Sequence, residues 1–427
     1  MKDTLIYVVA HNHKEFLKDC LNSIFSQLDN ETDVILIDSG STDGSYEYLK
    51  NYSKEKNIDF YNKKLILTEI IDWVYIKFCS KYKYIMRVDA DDVLIRNSIK
   101  LLKAKIKEDE SIGSVSGSWI EIDSNSNVLN KMILNDGEAT AAFHGACTLF
   151  NTNAISKLRF ANNNIKSQDG LYTWLKISTK WCCITVSDYI FQYRRHENNM
   201  SNEEEKLFSG RSNAYKSVFN EKKYKSNACV IMGHTDDSSL FVQSRRSQII
   251  DNFKKQLQYI EDCESISSVY ISTNSKWLKD INFDTFPKLK ILDRNKSSNT
   301  LIKSLQDCEN IQKVMMKYDD IFIINPNKNI WSADFMGIAL FSKYIHSYKT
   351  VIACKLVKGA AFKEEDGQLQ YINFSNLNTV FTSKFLFLRL PGFLLVSCKD
   401  FNNIHEDFPK PIGQVSNNFL KMGINTL

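Results

Sequence analysis

The sequence predicts an α/β protein built from two successive parallel-sheet domains. Three observations carry this expectation. Short β-rich apolar runs alternate with stretches of helical periodicity. The strand-like runs of the first half end in acids, glycines or hydroxyl-bearing turn residues, as strands do where they reach a sheet rim. A charged passage opening on Glu203-Glu204-Glu205 interrupts the pattern, which then starts afresh. At 427 residues the chain exceeds a single core. The expected organisation is a first domain over 1–203, a helical connector over 204–226 and a second α/β domain over 227–427.

Composition narrows the function classes. With 43% hydrophobic and 25% charged residues the chain reads as an ordinary globular protein. A net charge of +5, spread as scattered lysines, does not call for nucleic acid as a partner. It is compatible with peripheral attachment to an anionic membrane face. The ten cysteines stand singly except Cys182-Cys183 and form neither CxxC nor zinc spacing, which points to a reducing cytoplasmic compartment. The opening MKDTLIYVVAHNHKEF reads as a first strand rather than a signal peptide. The longest apolar run, Phe385 to Val396, is broken by Arg389 and Pro391 and falls short of a membrane span.

Taken in order, Leu5 to Val9 is a strand, and Lys14 to Gln27 places Phe16, Leu17, Cys20, Leu21, Ile24 and Phe25 on one helical face. Val34 to Ile37 is a second strand that runs into DSGSTDGS, a turn and helix-start sequence. Tyr84 to Val88 is a third strand-like run, followed at once by Asp89, Asp91 and Asp92. Consecutive acids cannot remain in a core without partners, so the chain should surface there. Strand, helix, strand, turn, helix is the order of a parallel sheet whose carboxyl ends gather ligands, which would set Asp38 and the DADD acids on one rim. Such hard oxygen ligands suit Mg²⁺ or Mn²⁺ bridging a diphosphate.

Four separated segments, VAHNHKEFLKDCLNSI, IDSGSTDGS, VDADD and SQDGLYTWLKI followed by YRRHENNMS, resemble the family 2 glycosyltransferases with a GT-A fold. Those enzymes carry a Rossmann-like domain and transfer a sugar from a nucleotide diphosphate with inversion. The resemblance covers roughly the first 200 residues. It implies that Ala10 and Asn12 lie against the nucleotide, that Asp38 reads the base, that Asp91 holds Mn²⁺ or Mg²⁺, and that Asp89 faces ribose or the metal's water shell. His196 would complete the metal or diphosphate site, with Arg194 and Arg195 adding charge at the diphosphate. A UDP-sugar is the expected donor, and a glycan or lipid-linked glycan the expected acceptor.

Several residues keep a second reading. Asp38 also fits an Asx turn. Asp92 fits a helix N-terminal acid before Ile95 to Ile106. Asp169, opening the helix GLYTWLKI, is the candidate base for the acceptor hydroxyl and also fits a plain helix cap. It is the one acid there, because Gln168 stands where the family often has Glu. His196 alone would read as structural. Gly145, within Phe143-His144-Gly145-Ala146, is expected to let the backbone approach a sugar. The segment NKKLILTEIIDW lacks the family's Gly-rich turn and Arg, leaving Lys63 or Lys64 as a substitute charge.

In the second half, strands are expected at Ala228–Met232, Ser268–Ser272, Leu289–Leu292, Ile321–Ile324 and Val351–Lys355, and helices at Gln248–Cys263 and Ser298–Tyr318. Asp366-Gly367 signals a hairpin. The phrases VYISTNS and DDIFIINPN resemble the sugar-activating cytidylyltransferases of the CMP-sialic acid synthetase type. The loop GHTDDSSLFVQSRRSQ lacks their triphosphate-cradling cations, so a degenerate domain is expected. It would then serve acceptor docking or assembly; a retained activity would make the chain bifunctional.

Overall fold

The computed structural model describes residues 2–139, 144–159, 165, 168–197, 199, 210–211, 213–219, 227–234, 244–281, 283–294, 305–327, 330–345, 350–358, 362–365, 368–371 and 385–397. The chain falls into two units, Met1–Ala214 and Tyr215–Leu427.

The first unit runs β1 (Thr4–Ala10), α1 (Leu17–Phe25), β2 (Thr32–Asp38), α2 (Ser45–Lys56), β3 (Asp59–Asn62), α3 (Leu67–Phe78), β4 (Tyr84–Asp89), β5 (Val93–Leu94) and α4 (Ser98–Ile106). It continues with β6 (Ile112–Ile122), β7 (Val128–Met132), β8 (Gly137–Glu138), β9 (Leu149–Asn151), α5 (Thr152–Ile155), α6 (Asp169–Ile177) and β10 (Cys182–Arg194). The sheet order is β3-β2-β1-β4-β9-β6-β10-β5, with β7 beside β6 and β8 beside β10. This is a mixed α/β, parallel-rich sheet of the kind a GT-A domain requires. β1 is buried along its whole length because parallel neighbours and helices cover it, as its unbroken apolar sequence demands. Register brings Ala10 opposite Asp38 and Val9 opposite Asp89, so the acids end the two strands that flank β1, on one rim.

The helix expected from Ile95 begins instead at Ser98, whose hydroxyl donates to the Ile95 and Ile190 carbonyls. Asp92 is therefore not its N-terminal acid. It is buried, and its Oδ1 accepts from the Arg194 amide at 3.1 Å.

The second unit runs β11 (Ala228–His234), α7 (Arg246–Glu261), β12 (Ile266–Thr273), α8 (Lys276–Lys279), β13 (Leu289–Asp293), α9 (Glu309–Met315), β14 (Asp320–Ile324), α10 (Ala333–Ile345), β15 (Thr350–Lys358), β16 (Phe362–Glu365), β17 (Gln368–Tyr371) and β18 (Phe385–Ser397). Its larger sheet has the order β13-β12-β11-β14-β18-β15. Val230 and Met232 enter one apolar cluster while Cys229 and Ile231 enter another, so both faces of β11 are covered. The expected strands are present. The single helix expected over Ser298–Tyr318 is broken: Cys308 is extended and α9 starts afresh at Glu309, while 295–304 lie outside the described residues. β16 and β17 pair antiparallel as the Asp366-Gly367 signal requires, with those two residues outside the described set.

Part of the expected connector belongs to the core: Tyr215 and Val218 are buried, and Phe219 packs so closely on Gly337 that a Cβ there would meet its ring at 2.2 Å. The run Phe385 to Val396, too short for a membrane span, ends in buried strand at Leu394, Leu395 and Val396. Among the described residues no helix is long and apolar enough to cross a membrane, and the eight cysteines whose side chains are described are free.

Candidate active site

The rim at the ends of β1, β2 and β4 is built by short loops that staple one another. Asn12 adopts a left-handed φ of 60°, and its side-chain oxygen accepts from the Thr42 amide at 2.8 Å. The Asn12 amide donates to Ser41 Oγ, the His13 amide to Ser45 Oγ and the Lys14 amide to Asp43 Oδ2. Asn12 thus fastens two rim loops together. Ala10 is fully buried, and its carbonyl accepts from the Ser39 amide.

Both readings of Asp38 have support. Its Oδ2 closes an Asx turn with the amides of Gly40 and Ser41 at 2.9 and 3.1 Å. Its Oδ1 is buried without a hydrogen-bond partner among the described residues. An acceptor left unpaired in that position is what a ligand N–H would satisfy.

Asp91 stands at the centre of an imidazole pair. His196 Nε2 lies 3.0 Å and His13 Nε2 4.0 Å from Asp91 Oδ2. Burial would raise the Asp91 pKa, but the His196 hydrogen bond and the charge of His13 outweigh it and hold it below the usual carboxylate range. The His196 ring is braced by Phe16 at 5.2 Å, and its amide donates to Asn199 Oδ1.

Asp89 turns elsewhere. Arg87, buried in β4, places Nε 2.8 Å from Asp89 Oδ1 and Nη1 2.7 Å from Asp169 Oδ2. Burial pushes the Asp89 carboxyl up to about 6, against the pull of Arg87. The guanidinium joins the DADD acids to Asp169, the first residue of α6. Gln168 before it has φ 65° and Cys147 has φ 56°, both unusual for side chains bearing a Cβ. Gly145 is needed here for packing. An added Cβ would meet Asp169 Oδ2 at 2.3 Å and the Gly170 amide at 3.0 Å, so its bare backbone makes room for the candidate base itself. Phe143 lies outside the described residues.

Arg194 differs from the diphosphate-facing role expected of it. Arg194 is 1% exposed, and its Nε donates to the Asp91 carbonyl. Its Nη1 donates to the Asp123 and Ser124 carbonyls and to Ser126 Oγ. It locks the DADD backbone in place. Arg195 pairs with Glu121 at 2.9 Å. Lys63 lies over the Trp73 ring at 4.5 Å, and Lys64 packs on Gly40.

Residues 5–159 match the glycosyl transferase family 2 model. The N-terminal half carries a glycosyltransferase domain. Relatives include an uncharacterized glycosyltransferase of Haemophilus influenzae, 24% identical over 216 residues that cover 46% of this chain and 66% of the relative. A poly-β-1,6-N-acetyl-D-glucosamine synthase of Staphylococcus epidermidis is 23% identical over 187 residues, 39% of this chain and 44% of the relative. The chain thus spans about two thirds or less of the curated relatives it matches. Among solved structures, S. aureus TarS 1–349 aligns over 92% of this chain and 99% of its own, with TM-score 0.41 and 12% identity.

Proposed function

We propose that the chain is an inverting, metal-dependent glycosyltransferase. It would move a sugar from a nucleoside diphosphate donor, expected to be a UDP-sugar, to a hydroxyl of a glycan or lipid-linked glycan. The setting would be bacterial capsule or lipopolysaccharide assembly, with the protein cytoplasmic and peripheral at the inner membrane face. The observation that carries the reading is the shared rim: Asp38, Asp89 and Asp91 at the ends of the two strands that flank β1, with Asp169 joined to them through Arg87. The family 2 match over the same residues supports it.

In this reading Asp38 Oδ1 accepts from the base. Asp91 and His196 hold the divalent cation; the pairing of a carboxylate with imidazole and the convergence of both on one point fit Mn²⁺. Bound there, the cation would take up charge developing on the diphosphate leaving group. Asp169 removes the acceptor hydroxyl proton as that oxygen bonds to the anomeric carbon and the diphosphate departs from the opposite face. Arg87 fixes the direction of that carboxylate. Purified protein given a panel of nucleotide sugars and Mn²⁺ or Mg²⁺ should release nucleoside diphosphate. Asp91→Ala should abolish release, and Asp169→Ala should abolish transfer while donor binding persists. Full transfer by Asp169→Ala refutes the base assignment.

For the second unit, strand order reverses between β11 and β14, which favours a ligand crevice at the carboxyl strand ends. That supports the cytidylyltransferase-like reading. Pyrophosphate release from CTP and a sugar acid by the full chain would show a bifunctional enzyme. Weakened acceptor affinity in crevice variants, without pyrophosphate release, would show a docking role. The loop 235–243 lies outside the described residues.

A further inference from the structure

We propose that His13 is a third ligand at the cation position, so that the site takes a borderline transition cation such as Mn²⁺ in preference to Mg²⁺. The inference rests on the metal-dependent reading above. Candidate ligand atoms of His13, Asp91 and His196 all lie within 4.8 Å of one another. The two imidazole rings meet edge to face, 5.7 Å apart, and both present Nε2 to the same carboxylate oxygen. His13 is anchored through its backbone, by its amide to Ser45 Oγ and its carbonyl to the Phe16 amide. Its Nδ1 is buried without a hydrogen-bond partner among the described residues, so no contact of that nitrogen accounts for where the ring points.

The acid that DxD spacing offers for this corner is engaged elsewhere: Asp89 Oδ1 is 2.8 Å from Arg87 Nε. An imidazole stands where an all-carboxylate site would have placed an oxygen. Mg²⁺ demands oxygen ligands and near-ideal octahedral geometry, whereas imidazole nitrogen suits Mn²⁺ and later metals. A set of two imidazoles and one carboxylate therefore discriminates between the ions in a way that Asp89 and Asp91 together would not.

The test is cation binding by the full chain, with MnCl₂ or MgCl₂ titrated calorimetrically with and without UDP, and pulsed EPR of bound Mn²⁺. Wild type should favour Mn²⁺ by roughly tenfold or more and show nitrogen coupling from two imidazoles, and His13→Gln should lose most of that preference and one coupling. A single-imidazole signal in wild type, or an unchanged preference in folded His13→Gln, overturns the inference while leaving a metal site at Asp91 and His196. Absence of any cation binding overturns this inference and the metal-dependent reading together. The wild-type spectrum decides the ligand count even if the variant fails to fold.

Discussion

Arg87 Nη1 stands 2.7 Å from Asp169 Oδ2, across 82 residues of chain, while the same side chain holds Asp89. With its side chain 5% exposed, the guanidinium compensates two carboxylates that cannot readily be left alone. Arg87→Met should cost about 3–5 kcal/mol in urea unfolding, the range for breaking a buried ion pair. Arg87→Lys keeps the charge but cannot fork between both acids, so it should recover part of the stability and little turnover. Wild-type stability in Arg87→Met would show that the link contributes nothing.

Gly145→Ala pushes a methyl into the Asp169 carboxylate. Transfer should drop at least several-fold, with a stability loss of about 1–3 kcal/mol, as in overpacked cores. Donor affinity, measured by UDP titration, should stay near wild type. A parallel loss of UDP affinity would mean that the glycine serves the nucleotide instead.

Asp38→Ala removes the buried Oδ1 and the turn acceptor together, whereas Asp38→Asn retains one oxygen for the Gly40 and Ser41 amides. Asp38→Asn should therefore fold normally and lose most of the thermal shift that UDP confers on wild type. An undiminished shift would leave Asp38 as a turn residue alone.

His144 packs against Trp119, Phe191 and Tyr193 at ring distances of 4.6–5.2 Å. Burial, aided by Arg195 and Arg87 and opposed by Asp169, pushes its imidazole down to about 4. The unfolded chain, near 6.5, binds more protons between those values. The stabilising contribution is full above about pH 6.5 and is lost as pH falls toward 4. His144→Phe should flatten that part of the stability profile by about 2–3 kcal/mol relative to wild type. Parallel pH profiles for the two proteins would count against it.

Much of this molecule could be read from its residues, and the misses share a cause. Strands such as β1, β4 and β11 announce themselves as apolar runs ending in polar residues, and Asp91 and His196 meet as their motifs suggested. Arg87 is hard to read from sequence because one cation in the run YIMRVD fits a solvent-facing position. Its signal was that the strand around it is apolar on both faces, so the charge had to be paired inside. His13 carries no motif of its own beside Asn12, and only the fold brings residue 13 to residue 196. The α10 helix escaped notice because Phe335 to Lys343 are all buried, leaving no polar stripe to reveal a period. Arg194 looked like an anion binder, yet carbonyl groups claimed it, a choice that local sequence does not display.

The pairing of Asp91 with His196 joins positions 105 residues apart. A polypeptide emerging from the ribosome can complete strands β1 to β4 long before the segment after β10 delivers that imidazole. A chain that ends after β4 and the DADD acids would carry Asp38, Asp89 and Asp91 yet lack both Asp169 and the His196 imidazole. The Asp91–His196 pair can therefore close only once this unit has been synthesised through the segment that follows β10.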